Sequence, residues 1–280
     1  MTFKKPVTEL ITDRVSTRTF DNREISNSVR DELNAFIAGI NSQKSFNGRF
    51  LLLENSEPGD GTSRKPGTYG MIAGAHSFLV MILKKDAADA ATAGFLFEEI
   101  ILCAADLGLQ TCWLGGSFNK NDFKNRVSLA ENEYIPIVSP VGYMKSKPRA
   151  LESVMRTAIG ANKRKPWKDL FFDSQQNPLD QQSAGRYATA LEMVRLGPSA
   201  SNKQPWRVIL ADDAFHFYLC RTPGYGLPSY DLQKNDLGIA RCHFELTANE
   251  LGLSGSWQQL SFNLPASDWE YISSWVASEK

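Results

Sequence analysis

Residues 94–118, GFLFEEIILCAADLGLQTCWLGGSF, have a counterpart 144 positions later in residues 238–262, GIARCHFELTANELGLSGSWQQLSF. Aligned without a gap, nine of the 25 positions are identical: Gly, Leu, Ala, the triplet Leu-Gly-Leu, Trp and the closing Ser-Phe. Unrelated sequences of ordinary composition would share roughly one or two. The chain therefore reads as two diverged copies of one α+β unit. Each copy of the stretch predicts a long helix, the first of which stops at Gly108, where a C-capping glycine follows the last apolar turn. Helices that place Gly and Ala against one another can approach closely. The two long helices are thus expected to pack as the shared core of an internal pseudo-dimer.

Working outward, the N-terminal copy (1–145) predicts helices at 7–13 and 27–40, the second with Val29, Leu33, Phe36, Ile37 and Ile40 on one face. Strands follow at 49–53 and 77–83, with PGDG and KPG marking turns between them. The long helix (87–107), an extended TCWLGG, a helix at 121–129 and the strand IPIVSPVGY complete the copy. A basic connector (146–178) reads as a wrapping segment, because Trp167, Leu170, Phe171 and Phe172 would not stay in water. The C-terminal copy (179–280) predicts a helix at 181–196, strands at 206–211 and 215–220, the long helix at 232–251, and strands at 254–260 and 269–276.

Composition excludes several classes. Lys+Arg and Asp+Glu both number 31, so no global basic field draws the chain to nucleic acid or an anionic membrane. Cys103, Cys112, Cys220 and Cys242 lack CxxC spacing, and with three histidines they support neither a metal cluster nor a disulfide framework. The longest strictly apolar run, 78–83, is too short to span a bilayer, and the N-terminus lacks an apolar signal core. A reducing cytoplasm fits these features best.

Two short motifs carry the chemistry. In RVSTR (14–18), β-branched residues favour an extended backbone, which projects Arg14, Ser16 and Arg18 to one side. Two guanidiniums and a hydroxyl suit a phosphate monoester; the alternative is a solvated turn whose arginines pair with Asp13, Asp21 or Glu24. In GPSASNKQPW (197–206), a Pro-anchored turn offers backbone N–H groups and the amides of Asn202 and Gln204 to a flat polar ligand. Those amides could instead stabilise the loop itself. The Gly115-Gly116 pair would let backbone approach a ring, or serve as a plain turn.

These residues resemble the FMN-dependent nitroreductases, specifically their tandem-fused TM nitroreductase branch. The shared order is R-x-S-x-R after a first helix, P-S-x-x-N-x-Q-P-W after a second, a long helix ending in L-G-L, then W-x-G-G and a strand ending in V-G-Y. The resemblance implies a nitroreductase-like α+β fold with flavin sites between the two copies. It also implies a departure. INSQKSFNGRF (40–50) lacks the Pro-Ser turn and QPW, QQSAGRYATA holds no R-x-S-x-R, and Gln259-Leu260 replace the glycine pair. All three losses strike the same one of two pseudo-symmetric sites, which leaves one site per chain.

That site would join Arg14, Ser16, Arg18, Gly115 and Gly116 to Pro198, Ser199, Ala200, Asn202 and Gln204. The resemblance adds Arg164, in KRKPW, as a basic residue closing on the phosphate, with Lys163 and Lys165 equally near. It adds Tyr69, in TYG, as a ring contact, where surface packing is the alternative. The implied activity is hydride transfer from NADH or NADPH through flavin N5 to a nitroaromatic- or quinone-like acceptor, with no catalytic side chain and no metal. The alternative is a non-catalytic FMN-binding protein with a closed substrate face. A monomer suffices if the fused copies mimic a dimer. His76, His216 and His243 are read as satisfied core or edge histidines.

Overall fold

The computed structural model describes residues 3–43, 46–54, 67–86, 89–147, 149, 152, 157, 160, 163–260 and 268–278. The expected PGDG turn, most of the KPG turn, and parts of the connector and of residues 40–50 lie outside them. So does the Ser-Phe that closes the second repeat.

The N-terminal half begins with helix α1 (Val7–Asp13) and the amphipathic α2 (Asn27–Asn41), which buries Leu33, Ile37 and Ile40. Strand β1 (Gly48–Glu54) pairs antiparallel with β2 (Ser77–Lys84). Successive side chains of a strand point to opposite faces, and β2 is covered on both. Leu79, Met81 and Leu83 face α2 and the long helix α3 (Ala90–Asp106), while Phe78, Val80 and Ile82 face Cys112, Leu114, Phe118 and Phe123. Strands β3 (Gln110–Thr111), β4 (Glu133–Tyr134) and β5 (Val138–Gly142) complete the sheet, in the order β1-β2-β5-β3 with β4 beside β2.

The C-terminal half contains β6 (Phe171–Asp173), α5 (Ala188–Leu196), β7 (Trp206–Ala211), β8 (Ala214–Leu219), the long helix α6 (Leu232–Glu250), β9 (Gly255–Gln258) and β10 (Glu270–Ala277). Its sheet runs β6-β7-β8-β10-β9. The path β7-β8-β10-β9 repeats the β1-β2-β5-β3 path of the first sheet in both chain order and neighbours. The added strand β6 comes from the connector and lies parallel to β7. Buried Leu170 and Phe171 dock it, and the Trp167 indole donates to Glu192 Oε2 at 2.8 Å.

The two halves meet along α3 and α6. A Cβ on Gly94 would lie 2.2 Å from the Asn235 carbonyl oxygen, and one on Gly238 would lie 2.0 Å from that of Ala91. The helix backbones therefore touch, at the two glycines that the sequence register superposes. Asn235 and Ala91 are likewise related by the same 144-residue offset.

Local differences from the sequence expectations have local causes. The helix expected at 121–129 is the short α4 (Lys120–Lys124), followed by turns that bury Val127. The helix expected from 181 begins at Ala188, because Gly185 takes φ 55° and breaks the preceding turn. TCWLGG contributes little strand beyond Gln110–Thr111, since Leu114 reaches Val138 by an isolated bridge. No helix among the described residues is long and apolar enough to cross a membrane.

Candidate functional site

A cavity of about 480 Å³ opens at the junction of the two halves. Its volume falls in the roughly 300–1,000 Å³ range of small-molecule sites.

On the N-terminal side, the chain leaves α1 extended at Arg14. Ser16 bridges Thr111 in parallel, and Thr17 N–H donates to the Thr111 carbonyl at 2.9 Å. This pairing turns Thr17 inward, where it is buried, and sends Ser16 and Arg18 to the cavity wall. Arg18 is only 8% exposed, yet its Nε has no hydrogen-bond partner, nor do the buried Nε and Nη1 of Arg14. Arg14 lies off the cavity wall. Its charge is nevertheless felt at Cys112, whose thiol is pushed up by burial and pulled down by Arg18 and Arg14. It is felt again at Arg164, whose guanidinium is pushed down to about 10 by burial first and then by Arg14. A buried acid, Glu152, offers one oxygen to the Arg18 backbone N–H at 3.1 Å. Arg18 Nη1 donates to the Ser16 carbonyl at 3.4 Å, and the remaining buried nitrogens of the two arginines stand without partners, which is costly.

The C-terminal side supplies the loop between α5 and β7. Pro198, Ser199 and Ala200 wall the cavity. Ser201, Asn202 and Gln204 all hold positive φ, at 47°, 54° and 48°. Such non-glycine conformations cost on the order of 1 kcal/mol or more each and persist only where surroundings enforce them. The enforcement is visible. Gln204 N–H donates to Ser199 Oγ at 2.9 Å, and Asn202 Nδ2 donates to the Gly160 and Lys163 carbonyls at 2.7 Å each. Gln204 Oε1 accepts from Lys165 N–H at 2.7 Å.

Asn202 and Gln204 therefore spend their amides on the connector and do not line the cavity. Arg164 is also structural in its contacts: Nε and Nη2 donate to the Leu196 carbonyl at the end of α5, and Nη1 donates to Asn202 Oδ1. Tyr69 is 69% exposed and lies away from the wall, where Met71 stands instead. Gly115 and Gly116 do line the cavity, but their missing side chains make room for protein. A Cβ on Gly115 would meet Leu232 Cδ2 at 2.7 Å, and one on Gly116 would meet Leu227 Cδ2 at 3.3 Å.

The largest group of wall residues absent from the sequence expectations comes from α6 and the segment before it. Leu232, Asn235, Asp236 and Ile239 line the cavity at i, i+3, i+4 and i+7 of one helix, a periodicity readable in the sequence. Asp236 accepts from Ala200 N–H with both oxygens, at 3.0 and 3.2 Å, and burial raises its carboxyl well above the usual range. Residues 225–227 cross to Gly116, tied down where the Tyr225 hydroxyl meets Ser201 Oγ at 2.9 Å. Trp113, also on the wall, donates to Glu98 Oε2 at 3.0 Å. Glu98 Oε1 meets His243 Nε2 at 2.8 Å, and His243 Nδ1 donates to the Met193 carbonyl at 2.9 Å. His243 is thus a fully buried, fully bonded link between α3 and α6.

A family model described as "Putative TM nitroreductase" matches residues 6–248. Among solved structures, the chain is similar to a "putative nitroreductase" of Thermotoga maritima at 19% identity and TM-score 0.57, over 99% of this chain and 95% of that one. It is similar to a nitroreductase family protein of Clostridium difficile at 18% identity and TM-score 0.42, over 60% and 96%. A "putative nitroreductase" of Desulfovibrio desulfuricans, solved in complex with FMN, shows 20% identity and TM-score 0.39 over 54% of this chain and 95% of that one. The Thermotoga likeness speaks to the fold alone. No curated protein matches the sequence.

Proposed function

Since the chain belongs to the TM nitroreductase family, we propose that it is a flavoprotein oxidoreductase holding one FMN in the cavity between its halves. The observation that carries this reading is the buried guanidinium of Arg18 on the wall of a mostly apolar cavity, its Nε unpartnered, with the unpartnered Nε and Nη1 of Arg14 four residues before it in the chain. Such donors fit a phosphate, and the apolar walls at Trp113, Leu114, Ile137, Leu232 and Ile239 fit a flat ring. Ser16 would add a hydroxyl donor to the phosphate. Pro198, Ser199 and Ala200 would flank the ring from the other half, and the backbone at Gly115-Gly116 would run along its edge. Asn202, Gln204 and Arg164 act on the site by holding the 197–206 loop in its strained shape.

FMN held beside Arg18, Ser16 and the 198–200 loop would supply hydride-transfer chemistry between NADH or NADPH and a nitroaromatic- or quinone-like acceptor. The chain's own part is to bind, orient and exclude water.

The same reading takes the chain as two fused copies, 1–145 and 179–280, joined by a connector at 146–178. The repeated strand path and the reciprocal contacts of Gly94 with Asn235 and Gly238 with Ala91 support it, because a two-fold interface pairs i with j and j with i. A fused pair needs no second chain to complete the site, so a monomer suffices, and the reducing cytoplasm remains the compartment that suits its free thiols.

One observation favours the non-catalytic alternative: residues 225–227 lie across the cavity, with Leu227 against Gly116. Anaerobic mixing of the flavin-loaded protein with NADH or NADPH separates the two. The reductase reading expects bleaching of the flavin band by at least one donor, reoxidation by a quinone or nitroaromatic, and ping-pong kinetics in which donor and acceptor compete. A flavin that neither donor bleaches would leave only the binding function.

A further inference from the structure

A second cleft, of about 420 Å³, adjoins the first. Three stretches of chain run from one to the other, from Ser117 to Lys120, from Ile137 to Ile135 and from Leu227 to Ser229. Lys85, Lys120 and Lys124 converge on it. Lys85 Nζ donates to the Glu131 carbonyl at 3.2 Å and Lys120 Nζ approaches Ser229 Oγ at 3.3 Å, both neutral partners. No ion pair among the described residues involves any of the three lysines. The one acid on the wall, Glu133, is taken by Arg49, whose Nε and Nη2 donate to it at 3.1 and 2.9 Å. That bond holds the Glu133 carboxyl below the usual range. None of the three ammonium groups is thus ion-paired with a carboxylate among the described residues.

The rest of the wall is of another kind. Leu129 and the half-buried Tyr134 share the wall with these lysines, beside the buried Ile135. A flat aromatic group bearing phosphate matches both: the ring covers Tyr134 and the phosphate meets the lysines. A simple inorganic anion would leave the apolar part unused.

We propose that this cleft binds the phosphorylated adenosine end of a nicotinamide dinucleotide and selects the 2′-phosphorylated form, NADPH, over NADH. The identity of the occupant rests on the redox function argued above, since the cleft adjoins the cavity in which the nicotinamide would react.

Calorimetric titration of the full chain with 2′,5′-ADP, 5′-AMP and adenosine tests this, and the visible spectrum of the same sample reports flavin independently. The expected result is that 2′,5′-ADP binds about tenfold more tightly than 5′-AMP, with an advantage that shrinks as salt rises. Lys124→Ala, an exposed change on α4, should weaken 2′,5′-ADP by roughly fivefold while leaving adenosine binding and thermal stability unchanged. Equal affinity for the three ligands, or 2′,5′-ADP binding indifferent to both Lys124→Ala and Lys85→Ala, overturns the proposal. A flavin-loaded protein that binds none of them overturns the cleft assignment and spares the flavin reading. Lysine-dependent binding to a protein that takes up no FMN does the reverse.

Discussion

Asn202 and Gln204 share a motif with Ser199 and Ala200, yet the four do different work. A sequence shows that an amide is present but not which partners it reaches. Here the connector backbone at Gly160, Lys163 and Lys165 takes those partners up, and that contact spans some forty residues of chain. The outward alternation of Ser16 and Arg18 was legible from the extended backbone that the Thr111 pairing fixes, whereas Arg14, expected on the same side, lies off the cavity wall. Glu99 could not have been singled out from sequence, because its character comes from the facing helix. Burial, and then the like charge of Glu245, pushes its carboxyl up to about 7. A raised folded-state value means that the folded protein binds the proton more tightly than the unfolded chain. Its contribution is therefore fully present below the ordinary value of 4.5 and is lost as pH rises through about 7. Glu99→Gln should then unfold at higher denaturant than the wild type at pH 8, by on the order of 2 kcal/mol, with the difference shrinking toward pH 4. Parallel stability curves for the two proteins across that range would show that Glu99 is not the group responsible.

Among the elements, the long helices α3 and α6 set everything else. Their existence and their glycines were plain in the sequence, since a period of 3.6 and a repeated Gly-Leu-Ala pattern are local properties. The short α4 was misjudged in length, because packing decides where it stops. The cavity face of α6, Leu232, Asn235, Asp236 and Ile239, had the right spacing to be noticed. It reads equally as an ordinary core stripe until the opposing loop is in place. The helix contact makes a sharp demand. A methyl group on Gly238 would lie 2.0 Å from the Ala91 carbonyl oxygen and 2.6 Å from the Phe95 nitrogen, both backbone atoms that cannot swing aside. Gly238→Ala should cost about 3 kcal/mol or more, at the upper end of overpacking effects. Gly108→Ala is the natural comparison, because a Cβ there meets nothing within 4 Å and only its φ of 79° resists substitution. It should cost about 1 kcal/mol. Thermal melts of the two variants that agree within error would mean that the helices do not approach as closely as described.

At the scale of the molecule, two sheets with the same strand path face each other across one helix pair, and the site lies where residues of both halves converge. The proposed duplication rests on the 144-residue register together with the shared strand path, and the proposed asymmetry on where the sequence motifs fail. The part of the wall formed by residues 225–227 was not legible, because it is a loop with no periodicity that meets the other half near Gly116. On the proposed reading that asymmetry leaves one flavin site per chain, with the phosphate at Arg18 and Ser16. Titration of the flavin-free chain with FMN, followed by quenching of flavin fluorescence, tests it most directly. Saturation is expected at one equivalent per chain, with affinity lowered by about 2 kcal/mol in Arg18→Ala. Saturation at two equivalents, or binding that Arg18→Ala leaves unchanged, would contradict it.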